Sequence, residues 1–88
     1  MFVSKLELRS FSQTRPLILS LEPWGEDYTF APDRTATILA RGAGPEAPWF
    51  SVWSADDGVT FVSIEGEVAE WEVWDADVRV ECGHGRRR

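Results

Sequence analysis

The chain has 88 residues, enough for one domain and one core but not for two. Its hydrophobic fraction of 43% excludes a disordered polymer, and its single cysteine excludes an internal disulfide. A formal charge of −6 argues against a folded body that grips phosphate, because carboxylates repel the nucleic-acid backbone.

The first element predicted is a strand over Lys5–Phe11. Leu6 and Leu8 fall on one side there, and Lys5, Glu7 and Arg9 on the other. Only a pleated strand with one wet face suits that order. Ser12–Arg15 is polar and loop-like. Pro16 opens a second strand with Leu17, Leu19 and Leu21 on one face. Ile18, on the opposite face, predicts that this strand starts buried on both sides. Pro23 ends it, having no N–H for a ladder bond, and Trp24-Gly25 makes a corner.

Asp27–Phe30 is a short third strand, and Ala31–Arg34 a turn with proline presetting φ. Thr35–Arg41 carries β-branched residues suited to a pleated surface. Residues 42–48 hold two glycines and two prolines and read as a loop. Trp49–Ser54 and Val59–Ile64 then form a hairpin around Ala55-Asp56-Asp57-Gly58. Glu65-Gly66 turns the chain into a strand over Glu67–Trp74, with Ala69, Trp71 and Val73 opposite Glu70 and Glu72. Across Asp75–Asp77 the apolar phase flips, which predicts a turn or bulge before Val78, Val80 and Cys82.

Seven to eight short strands at this spacing predict an all-β protein: one compact antiparallel β-sandwich, or a small barrel. Residues 1–82 make the domain, and 83–88 are expected as a flexible basic tail ending in Arg86, Arg87 and Arg88. Met1–Ser10 alternates charges and lacks the apolar stretch of a leader. No apolar run approaches the ~20 residues that span a bilayer. A cytoplasmic protein with no membrane partner is expected.

Leu21-Glu22-Pro23-Trp24-Gly25-Glu26-Asp27-Tyr28, followed by Pro32, resembles a segment of short uncharacterised bacterial β-rich proteins. There a Pro-Gly turn precedes the next strand; this chain has Pro32-Asp33 instead. The resemblance covers residues 17–41. It implies a small all-β domain and carries no activity.

Catalytic constellations are sparse. His84 sits between glycines near the end, two residues after Cys82. Two such ligands do not close a zinc site, and a frayed tail holds no reacting groups in place. The Asp56-Asp57 pair is best read as part of a turn. Asp75 and Asp77 match no calcium loop. Gly42-x-Gly44 precedes no helix and lacks the lysine of a phosphate loop. No cofactor and no metal are expected.

The five tryptophans by default pack inside or beneath loops. Trp71 and Trp74 differ in parity, so a regular strand buries only one of them on a given face. Trp74 and Trp49 are the expected exceptions. Charge is uneven as well: residues 45–81 hold ten acids against the single base Arg79. A one-signed surface with surplus aromatics points to a non-enzymatic module that binds another protein or itself, without nucleic acid on the core. The candidate surface is Trp24, Trp49, Trp74, Glu70 and Glu72. Carbohydrate binding through exposed Trp is the first alternative, and an acidic decoy that occupies a basic nucleic-acid site is the second.

Overall fold

The computed structural model describes residues 2–10 and 12–85. Eight strands form: β1 (Val3–Arg9), β2 (Leu17–Glu22), β3 (Glu26–Phe30), β4 (Thr35–Gly42), β5 (Trp49–Ser54), β6 (Val59–Glu65), β7 (Val68–Asp75) and β8 (Val78–Val80). They make two four-stranded sheets. Sheet A has the order β1-β4-β7-β8 and sheet B the order β3-β2-β6-β5. The protein is an all-β sandwich, as the alternation predicts. Among the described residues no helix is long and apolar enough to cross a membrane.

Every pairing is antiparallel except one. β2 and β6 run parallel, with Ile18 opposite Val59 and Leu21 opposite Val62. The chain reaches this pairing by leaving sheet B after β3, adding β4 to sheet A, and returning through β5. Local hairpins account for β2–β3, β5–β6 and β7–β8.

Turn chemistry follows the residues. Gly58 closes the β5–β6 hairpin at φ 87°, and Asp57 Oδ1 accepts the Val59 N–H at 3.1 Å. Asp33 takes φ 66° in the β3–β4 turn, a left-handed position that a glycine fills without cost. Its carboxylate there meets Arg9 at 2.7 Å. The predicted phase flip is the two-residue β7–β8 turn, with Ala76 at φ 52° and Asp75 opposite Val78. A second irregularity lies earlier in β7. Arg41 pairs with Glu70 but Gly42 with Val68, so Ala69 bulges out and is exposed. The inward place expected for Ala69 belongs to Val68.

Inward rows from both sheets form the core. Sheet B supplies Leu19, Leu21, Tyr28, Phe30, Val62 and Ile64; sheet A supplies Ala36, Ile38, Ala40 and Val73. No tryptophan is among the buried residues: Trp49 is exposed as expected, and Trp24 and Trp53 are exposed as well, which corrects the expectation that the tryptophans other than Trp49 and Trp74 pack inside or beneath loops. Ile18 is also corrected: it is 36% exposed. Its parity puts it on the outer face of sheet B, and no third layer covers that face.

The terminal segment departs most from expectation. Residues 83–85 are not frayed. The Gly83 N–H donates to the Asp27 carbonyl at 2.7 Å, and the Thr29 N–H donates to the His84 carbonyl at 2.7 Å. The segment therefore lies along the free edge of β3. Gly85 has φ 74°, and a Cβ there would collide with the Thr29 carbonyl, so only glycine fits this approach. Arg86, Arg87 and Arg88 lie outside the described residues.

Because Phe30 is fully buried, Phe30→Ala is expected to cost about 3–5 kcal/mol of unfolding free energy in a denaturant titration. Trp49→Ala is expected to stay within about 0.5 kcal/mol. Equal losses would contradict a core assembled without Trp49.

Candidate interaction surface

The residues singled out from sequence fall in three places. Glu70, Glu72 and Trp74 come together on the outer face of sheet A. The Trp74 Nε1–H donates to Glu72 Oε1 at 3.0 Å. Arg41, on the neighbouring strand, meets Glu70 at 3.0 Å and Glu72 at 3.7 Å. One guanidinium thus serves both carboxylates, and Trp74 is only half-exposed.

Trp24 lies at the β2–β3 turn, stacked on Trp71 with centroids 3.6 Å apart and planes 18° apart. The Trp71 Nε1–H donates to Glu26 Oε1 at 3.1 Å, and the Tyr28 hydroxyl donates to the same oxygen at 2.8 Å. Burial and the adjacent Glu26 carboxylate push the Tyr28 phenol well above its ordinary value. The stack and its carboxylate join sheet A to the β3 edge of sheet B.

Trp49 stands apart from both groups. It opens β5 and is 57% exposed. Trp53, on the same face of that strand, is 47% exposed and stacks on Phe61 of β6, with centroids 5.5 Å apart and planes within 7°. The cross-strand pair Ile18–Val59 continues the apolar surface onto β2. Trp53, Phe61, Val59 and Ile18 thus share the outer face of sheet B with Ser20, Ser51 and Ser63. Trp53 was not among the residues chosen from sequence. The parity signal was present, since Trp49, Ser51 and Trp53 alternate with Phe50 and Val52. Which set faces outward was settled only by pairing with β6, which aligns Phe50 with Ile64 of the core.

The four sheet edges differ in how they are protected. β1 presents Lys5, Glu7 and Arg9, charges that discourage a foreign strand. β8 is three residues long. The β3 edge is covered by residues 83–85. β5 has one paired neighbour, β6, and no charged or proline residue. Val52, on its inner side, is 46% exposed. Near its start, the Ser4 hydroxyl donates to the Pro48 carbonyl and ties the loop to β1. Beside Trp49 lies a cavity of about 210 Å³, lined by Gly44, Glu46, Gly66 and Glu67 among others.

The covered β3 edge is held by a hydrogen-bonded trio that sequence reading missed. Asp75 is 8% exposed. Its Oδ1 accepts from Arg34 Nε at 2.7 Å, and its Oδ2 lies 2.8 Å from His84 Nε2. The trio ties the β3–β4 turn, β7 and the terminal segment together. His84, expected in a frayed tail, is instead half-buried, and Cys82 is exposed. Burial alone would raise the Asp75 pKa, but hydrogen bonds from His84 and Arg34 outweigh it and hold the carboxyl below its ordinary 3.8.

The folded state therefore binds this proton more weakly than the unfolded chain does. The resulting stabilisation is complete above the ordinary carboxylate value and drains away as pH falls through the lowered one. Asp75→Asn is expected to cost about 1–3 kcal/mol near neutral pH. It should also flatten the loss of stability as pH falls below the ordinary carboxylate range, measured by urea unfolding. Parallel curves for the two proteins would contradict this role. Comparisons with protein-family models, with curated proteins and with solved structures give no significant match.

Proposed function

We propose that this chain is a non-enzymatic protein-interaction module whose working surface is the edge strand β5 and the outer face of sheet B. The observation that carries the reading is the state of β5. It is an uncharged edge with exposed Trp49, Val52 and Trp53, in a protein whose other three edges are charged, short or covered. A bare edge is a template for another strand, and proteins that have no use for one blunt it. Aromatic rings beside such an edge bury large areas at small entropic cost and are typical anchors of interfaces.

Selection of a displayed peptide library on the immobilised protein tests this reading. Enriched peptides are expected to lose binding to Trp53→Lys and to keep it with Trp74→Ala. No enrichment, or enrichment indifferent to Trp53, would overturn the assignment. Light scattering at rising concentration identifies the occupant. A dimer that Trp53→Lys dissociates gives the face to a second copy, whereas a monomer leaves it to a different protein.

Trp49 beside a cavity with Glu46 and Glu67 favours one other reading, stacking against a sugar ring. A saturable fluorescence change with a glycan, absent in Trp49→Ala, would support carbohydrate binding instead.

A further inference from the structure

The two sheets carry opposite electrostatic designs. The strands of sheet A hold four bases (Lys5, Arg9, Arg41, Arg79) and four acids (Glu7, Glu70, Glu72, Asp75). Those of sheet B hold four acids (Glu22, Glu26, Asp27, Glu65) and neither Lys nor Arg. The surroundings of β5 continue that sign. Glu46 and Glu67 line the cavity at its start, and Asp56 and Asp57 stand exposed in the hairpin at its end. An apolar strand with carboxylates at both ends and no cation in its sheet complements a segment that is apolar and basic.

This inference rests on the reading of β5 as a binding edge and goes further by naming what binds. We propose that β5 accepts an extended basic segment of another protein as an added strand, with a Lys or Arg side chain entering the cavity beside Trp49. The alternation of β5 sets the pattern of the guest. Side chains on the outer side of the added strand run beside Trp49 and Trp53, where a cation gains from the aromatic faces. Side chains on the inner side run beside Phe50 and Val52 and are apolar. The head of a basic side chain in the cavity meets Glu46 and Glu67, and charge-assisted hydrogen bonds there exceed neutral ones in strength.

A second copy is a poorer guest. Antiparallel pairing of β5 with β5 sets the Asp56-Asp57 hairpin of each copy beside the Glu46–Glu67 end of the other. Like charges placed opposite one another across a strand pair are destabilising.

Two synthetic peptides test the proposal on the intact chain. One alternates Lys or Arg with Val; the other replaces each base by Glu. Tryptophan fluorescence reads affinity, and amide hydrogen exchange reads where the peptide lies. The basic peptide is expected to bind at least about tenfold more tightly than the acidic one. Its affinity should weaken as salt is raised. Exchange should slow across residues 49–54, and the double variant E46K/E67K should weaken binding while leaving the urea midpoint in place. Equal binding of the two peptides, no binding of either, or protection on β1 in place of β5 would overturn the proposal. If library selection yields Trp53-dependent peptides while the basic peptide fails, the named partner is wrong and the binding edge stands. If both fail, both are wrong.

Discussion

Two rows of side chains meet between the sheets, and that contact decides what every other part of the chain is free to do. Leu19, Leu21, Tyr28, Phe30, Val62 and Ile64 come from sheet B, and Ala36, Ile38, Ala40 and Val73 from sheet A. Burying a large apolar side chain contributes about 1.5–3 kcal/mol, enough to fix the facing of a short strand. A strand has only two faces. Once Phe50 is aligned with Ile64 above the core, Trp49, Ser51 and Trp53 turn outward. Exposure of the rings is a consequence of register, because side-chain parity leaves them nowhere else to go.

Closure of the sandwich is unequal at its two sides. On the β3 side, residues 83–85 bridge the sheets, and the Asp75–His84–Arg34 trio and the Trp24–Trp71–Glu26 cluster brace them. On the β5 side the Ser4–Pro48 hydrogen bond joins the sheets at the strand's start, and the strand itself has a single paired neighbour. A braced scaffold with one unprotected edge suits the strand addition proposed above. Little reorganisation is needed for binding, and the ladder of backbone donors and acceptors is already extended.

Alternation and turn residues carry most of the fold at the level of sequence. Leu6 and Leu8 among charges, the Asp56-Asp57-Gly58 turn and the phase flip across Asp75–Asp77 each have a local physical cause, and each is found where expected. Non-local features have no such trace. The parallel pairing of β2 with β6 joins residues about forty positions apart, and nothing in Ile18 or Val59 announces it. The bulge at Ala69 arises from the register of β7 on β4. His84 between two glycines reads as part of a frayed tail until Gly85 is seen to allow a close approach to the Thr29 carbonyl that a Cβ would block. Of the surface named from sequence, Trp49 lies on the candidate edge, Trp24 packs on Trp71, and Glu70, Glu72 and Trp74 cluster around Arg41, with Trp74 bonded to Glu72. Trp53 was not chosen because parity alone does not say which face of β5 is inside.

Charge and aromatic exposure converge on sheet B, and that convergence is the centre of the account. Collisional quenching of tryptophan emission measures both together. The portion of the signal lost in Trp53→Phe should be accessible to quenchers, and caesium should quench it more strongly than iodide after each ion is normalised to free indole, because carboxylates and no cations belong to that sheet. A signal shielded from both ions, or quenched more strongly by iodide, would contradict an exposed aromatic face of negative sign.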